Sequence, residues 1–198
     1  MLDDLAARVA AVRPKARRRL IAVAGPPGSG KTTLAEKLVM HLGPSAALVP
    51  MDGFHLDNSI LDARGHRARK GAPHTFDAAG FVHAIRRLGT EDEVILPVFD
   101  RTRDVAIAGV LPVGPETETA VIEGNYLLLN DATWNELHAL WDFSVFLEVS
   151  EEELERRLIQ RWIDHDHSPE DAKARAMSND MPNARRVKSE SVQADLTI

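Results

Sequence analysis

The stretch that most limits what this chain can become is Gly25-Pro26-Pro27-Gly28-Ser29-Gly30-Lys31-Thr32. It fits G-x-x-x-x-G-K-[ST], a loop that cradles nucleotide phosphates. The apolar run from Arg19 to Ala24 precedes it and reads as a buried strand. Thr33 to Met40 follows with apolar positions at helical spacing. Strand, glycine loop and helix together give the pattern its structural context. Glycines let the backbone curl so that N–H groups face phosphate oxygens, and the helix N-terminus favours anions. The expected cradle therefore runs from Gly25 through Pro26, Pro27, Gly28, Ser29 and Gly30 to Thr33. Lys31 is expected to reach the β- and γ-phosphates of ATP, and the Thr32 hydroxyl to bind Mg²⁺.

The rest of the chain reads as strands alternating with helices. Leu2, Leu5, Val9 and Val12 share one face of a short helix that Pro14 ends. Arg17-Arg18-Arg19 reads as a solvated basic cluster ahead of the first strand. Ala46 to Met51 is a second strand, ending at Asp52-Gly53-Phe54-His55. Residues 56–75 show little periodicity and many Arg, Lys, His and Gly, as in a long functional or mobile loop. Asp77 is placed to cap a helix running through Leu88. Extended segments are expected over 94–101 and 105–113, and a buried strand over 119–123. Thr133 with Glu136, and Ser150 with Glu153, fit capping boxes. Further strands are expected over 143–149 and within 192–198, and Ser168-Pro169 opens one more helix. This alternation implies an α/β fold with a parallel sheet covered on both faces.

Composition narrows the function. The 198 residues are 44% hydrophobic, enough for one domain, here taken as 1–198, with a small lid. A net charge of −6 gives no reason to expect nucleic-acid or membrane binding. There is no cysteine, no signal-peptide pattern and no run near the roughly 18 apolar residues of a membrane span. A cytoplasmic protein is expected, with a small-molecule partner; a homodimer stays open.

Ligands of parallel sheets bind beyond the carboxyl ends of the strands. The phosphate loop, Asp52 and Glu123 all fall at such ends and are expected to converge. Phosphoryl transfer needs a phosphate cradle, Mg²⁺, a group that orients or deprotonates the acceptor, and cations for the developing charge. Asp52 is the candidate base for an acceptor hydroxyl. Glu123 follows an apolar run and is the candidate metal acid. Arg157 and Arg161 share a helix face, and Arg161 is the candidate to fold over the phosphates. His165 and His167 flank Asp166 and read as a solvated lid turn rather than a metal site.

With these residues laid out, the chain resembles the superfamily of uridine kinase, phosphoribulokinase and bacterial pantothenate kinase over nearly its whole length. Asp52-Gly53-Phe54, Asn58, Leu61, Arg64-Gly65, Lys70-Gly71, Pro73 and Asp77 resemble the pantothenate kinase run from its catalytic Asp. Pro97-Val98-Phe99-Asp100 is similar to the Pro-x-Tyr-Asp acceptor segment of uridine kinases, with Phe99 replacing Tyr. Ile122-Glu123-Gly124 matches the Glu-Gly closing the third core strand. The Asp that uridine kinases use on ribose hydroxyls has no counterpart, since Gly71 falls near its place. Glu123 to Leu129 and Asn179 to Ala184 look more like a bacterial subgroup labelled fructose-transport-system kinase, or fructokinase-like.

The resemblance implies a P-loop NTPase three-layer sandwich: five parallel core strands in the order 2-3-1-4-5, helices on both faces, and a small helical lid near 157–183. It implies an ATP- and Mg²⁺-dependent kinase acting on a hydroxyl. Arg157 and Asn183 are placed with the nucleotide, and the segment from Asn179 to Asn183 near the adenine. The acceptor is placed against the loop near 53–76 and beyond it, on Asp52, Phe54, His55, Arg64, Lys70, Phe99, Asp100, Arg101, Asn125 and Tyr126. A sugar ranks ahead of a nucleoside and pantothenate as acceptor. The alternative of another class is a nucleotide-binding regulatory ATPase. Against it, the guanine-reading Asn-Lys-x-Asp and the transporter Leu-Ser-Gly-Gly motifs are absent.

Overall fold

The first strand decides the layering. In β1 (Arg19–Ala24), Leu20, Ala22 and Ala24 face one side and Ile21 and Val23 the other, and all five are buried. A strand buried on both faces needs helices above and below it. The computed structural model, which describes residues 2–198, supplies them. On one side α1 (Leu2–Ala11) and α2 (Lys31–Leu42) bring Leu5, Val9, Ala35 and Leu38 against Ile21 and Val23. On the other, α4 (Ala78–Thr90) brings Phe81, Ile85 and Leu88, each contributing about 1.5–3 kcal/mol by burial. The six-residue α3 (Asn58–Ala63) precedes α4, with Asp57 as its cap.

β1 pairs in parallel with β5 (Thr119–Gly124) and with β6 (Phe143–Phe146). Outside these lie β2 (Ala46–Pro50), parallel to β5, and β7 (Leu196–Thr197), parallel to β6. The sheet order is β2-β5-β1-β6-β7. Counted within this sheet alone it is 2-3-1-4-5, as the resemblance implied. The remaining strands, β3 (Val94–Asp100) and β4 (Val105–Val113), form a separate antiparallel hairpin.

After β6 come α5 (Glu151–Ile163), α6 (Pro169–Arg175) and α7 (Met181–Glu190). A single π turn, Ala176–Asp180, joins α6 to α7. Such turns are rare and recur at functional sites. Leu154, Leu158, Ala176, Met181 and Ala184 form a small core of their own beneath it.

Three sequence expectations change. Residues 56–75 are not one irregular loop but hold α3 and two 3₁₀ turns, 67–69 and 73–75. Thr133 does not cap through its side chain; its φ is 72°, and Glu136 instead accepts from Arg86 at 2.6 Å. Arg18 is not solvated but fully buried. Its guanidinium donates to the carbonyls of Thr117, Leu88, Glu91, Asp92 and Gly114. Five N–H groups meet five carbonyls, which is how a buried charge without a hydrogen-bonded carboxylate is tolerated.

Candidate active site

The carboxyl ends of β1, β2 and β5 open into one cavity of 1290 Å³. Each strand delivers a different group to it. Beyond β1, the phosphate loop turns at Gly28 and Gly30, whose φ angles of 81° and 92° suit glycine. Gly30 caps α2 without a side-chain hydrogen bond. The first N–H groups of that helix are therefore free for an anion, the arrangement a phosphate needs.

Lys31 opens α2 and lines the cavity. Burial pushes its ammonium pKa down, while Glu123 and Asp52 oppose the shift. Glu123 ends the apolar run of β5 and is 4% exposed. Burial pushes its carboxyl up, with Lys31 opposing. The Thr32 hydroxyl donates to Glu123 Oε2 at 3.1 Å. Among the described residues no cluster of three His, Cys, Asp or Glu could hold a metal alone. One hydroxyl and one carboxylate beside a phosphate cradle nevertheless fit Mg²⁺, which keeps few protein ligands and takes the rest from phosphates and water.

Beyond β2 the chain turns through a 3₁₀ segment, Met51–Phe54. Gly53 is required there, because a Cβ would strike the Pro97 carbonyl of β3. This close approach sets the hairpin beside Asp52. Arg101, just past β3, donates to Asp52 Oδ2 at 2.6 Å, and His55 Nε2 lies 3.9 Å from Oδ1. His55 stacks on Phe76 at 4.0 Å and touches Phe99 at 4.7 Å. Burial drops its pKa to about 4, so the imidazole is neutral at pH 7.

The third wall comes from α5 to α7. Arg157 donates to the Gly28 and Ser29 carbonyls at 3.2 Å and is held by Glu153 at 2.7 Å. Glu153 thus serves two arginines, Arg156 and Arg157, instead of closing the expected box, although Ser150 does accept from the Glu153 N–H. Arg161 lines the cavity, its pKa lowered by burial and by Arg101. Trp162 donates to Asp180 at 2.6 Å, and Arg175 lies 4.2 Å over the Trp162 ring. His165 and His167 pack at 6.1 and 5.2 Å from the same ring.

The cavity thus gathers Lys31, Thr32, Thr33, Asp52, His55, Lys70, Phe99, Arg101, Glu123, Asn125, Arg157, Arg161 and Asn183 from the sequence-level set, with Pro27, Gly28 and Gly30. Other members lie elsewhere. Arg64 is exposed at the end of α3 and does not line it. Phe54 packs on Phe81 at 5.0 Å, in the core. Asp100 accepts from the Arg103 N–H at 3.0 Å and shapes the hairpin turn. Tyr126 is buried and donates to the Gly71 carbonyl, so it supports the acceptor loop from behind. Gly25, Pro26 and Ser29 are buried within the phosphate loop and do not line the cavity. Asn183 accepts from Arg69 at 3.3 Å, which sets it against the acceptor loop.

Sequence reasoning did not single out Asp104 or Arg175 as site residues, and it placed Asn179 and Asp180 only within the segment near the adenine. None sits at the carboxyl end of a core strand; the hairpin, α6 and the π turn bring them in.

The family model described as "Phosphoribulokinase / Uridine kinase family" matches residues 20–198. This chain belongs to that family. It is therefore a P-loop kinase, an ATP-dependent phosphotransferase with an alcohol acceptor. An uncharacterized protein of Escherichia coli, YggC, is 37% identical over 202 residues, covering 100% of this chain and 84% of its own. A Schizosaccharomyces pombe protein provisionally named a uridine kinase is 32% identical over 209 residues, 99% of this chain and 89% of its own. A crystal structure from Silicibacter sp. TM1040, provisionally named a fructose transport system kinase, is 48% identical, with TM-score 0.96 over 100% of this chain and 98% of its own.

Proposed function

We propose that this kinase transfers the γ-phosphoryl group of ATP to a hydroxyl of a sugar such as fructose. The observation that carries this is the placement of Asp52 on the same cavity as the phosphate loop, held by Arg101 at 2.6 Å. The name of the Silicibacter protein supports the sugar.

In this function the loop from Gly25 to Thr33 grips the phosphates and Lys31 supplies charge to them. Thr32 and Glu123 hold Mg²⁺, which when bound neutralises charge on the phosphate oxygens. Asp52 takes the proton of the acceptor hydroxyl, a role worth roughly 10²–10⁴-fold. Arg161 faces the transferred group from the lid, and Arg157 fixes the lid to the loop. His55, Lys70, Phe99, Arg101 and Asn125 surround the acceptor. Water exclusion falls to the helices from α5 to α7.

ADP release from ATP·Mg²⁺ measured with fructose, uridine, pantothenate and sugar phosphates tests this. Acceptor-dependent release with fructose supports it. Release with uridine alone favours a nucleoside kinase, the function that the Schizosaccharomyces pombe relative's name suggests. Acceptor-independent release with every compound would leave a regulatory ATPase.

A further inference from the structure

The acceptor half of the cavity contains a polar triad whose bonding state restricts what can enter. Asp104 stands at the hairpin tip with φ 55°, a left-handed backbone that Asp tolerates better than most residues. Its Oδ1 accepts from Lys70 at 2.8 Å and its Oδ2 from Asn58 at 2.8 Å. Lys70 also donates to Asn58 Oδ1 at 2.7 Å and to the Asp104 carbonyl at 3.0 Å. An ammonium has three N–H donors, and here all three are engaged. Lys70 therefore has none left for an incoming anion, and Asp104 balances its charge. Arg67 lies 3.2 Å from Asp62 and 3.9 Å from Asp104. Arg101, between the acceptor and phosphoryl sides, is paired with Asp52 and within electrostatic reach of Lys31 and Arg161.

Apart from the N–H groups that the half-exposed Arg67 keeps, what this half offers is hydrogen-bond acceptors. Each Asp104 oxygen keeps a second lone pair. Asn179 donates its Nδ2 to the Lys70 carbonyl at 2.8 Å, which fixes its amide and leaves Oδ1 as the unused end. Asn179 Oδ1 and Asn125 Oδ1 are both buried without a partner, and both residues line the cavity. Of these oxygens, the half-exposed Asp104 carboxylate is the one that O–H donors can reach from the cavity. An anion brought against Asp104 meets like charge instead.

We propose that the acceptor is an uncharged polyhydroxy compound whose hydroxyls donate to Asp104, with Lys70 and Asn58 as the residues that position that carboxylate. This rests on the kinase function above and adds the charge class of its substrate and a specificity residue. A site built to pair hydroxyls discriminates strongly against ligands that leave its polar groups unpaired.

The test measures ADP release by the whole chain with ATP·Mg²⁺ and four probes: fructose, uridine, fructose 6-phosphate and glycerate. The better uncharged probe should exceed the better anion in kcat/KM by about tenfold or more. Asp104→Asn suits the same left-handed backbone. It should raise the KM of the preferred uncharged probe about 10- to 100-fold while the KM of ATP moves less than about twofold. Lys70→Met leaves Asp104 without its main partner and should raise the same KM, again sparing ATP. A wild-type preference for an anion overturns the proposal. So does an unchanged acceptor KM in an Asp104→Asn variant that melts like wild type. If that variant melts early, the wild-type ranking of probes still decides. Absence of acceptor-dependent release with all four probes would overturn the underlying function, whereas a preference for fructose 6-phosphate would leave a sugar kinase standing and a preference for glycerate a kinase of another acceptor.

Discussion

Arg101 grips Asp52 Oδ2 at 2.6 Å, and this bond ties the end of β3 to the end of β2 across the mouth of the cavity. The proposed base is thus oriented by a residue from a hairpin outside the main sheet. Asp52→Asn should fold, bind ATP and lose roughly 10²–10⁴-fold in turnover. Arg101→Gln should lose about 10- to 100-fold through misplacement. In the Asp52→Asn background the Arg101 substitution should add little, because the two act as a unit. Steady-state kinetics of the four proteins checks this, and additive losses would separate the residues.

Lys31→Ala removes the cation that lies near Glu123 and is proposed to face the phosphates. Phosphoryl transfer should be abolished and nucleotide affinity weakened, by calorimetry or a fluorescent ATP analogue. Normal turnover in that variant would remove the phosphate-loop assignment.

His55 makes stability depend on pH. Its folded pKa is about 4, against about 6.5 when unfolded. Between those values the unfolded chain binds the extra proton and the folded chain does not. Stability is therefore lost as pH falls through that window and is retained above it. The total loss by pH 4 should be about 3 kcal/mol. His55→Phe preserves the stacking on Phe76 and Phe99 and removes the titration. Urea melts from pH 7.5 to 4 should show the variant lacking this share of the decline.

Gly53→Ala tests the close approach that sets Asp52 beside the hairpin. The added Cβ meets the Pro97 carbonyl, a backbone atom with little freedom to yield. Overpacking of this kind costs about 1–3 kcal/mol, and each kcal/mol lowers Tm by about 2–4 °C at this chain length. Turnover should fall further than the unfolded fraction explains. Unchanged Tm and kcat would show that β3 can move away freely.

The groups at strand ends were legible in the sequence because burial leaves a short signature there. Val121-Ile122 before Glu123, and Leu48-Val49 before Asp52, announce an acid leaving a core strand. Ser168 and Asp77 announced their helices through local capping, which needs only three residues of context. Other features required the third dimension. The six residues of α3 bury only Leu61, too little to show a period. Asp104 and Lys70 are far apart in sequence and ordinary as residues; only the hairpin brings them together. Asn183 follows the π turn, whose extra residue per turn shifts which side chains face the loop. Arg18 looked like its two basic neighbours, and nothing local distinguishes a buried arginine from a solvated one.

Arg18 also has a consequence in time. Its five acceptors lie 70 to 99 positions further along the chain, on α4 and the segments flanking the β3–β4 hairpin, at the end of the sheet away from the cavity. The guanidinium is fully satisfied only once those segments have all arrived, and pairings of such sequence separation are slow to form. Contacts that form after the transition state slow unfolding more than they speed folding. We expect the buried arginine to act in this way as a latch on the lifetime of the folded kinase, placed where it can hold the sheet shut without touching the chemistry.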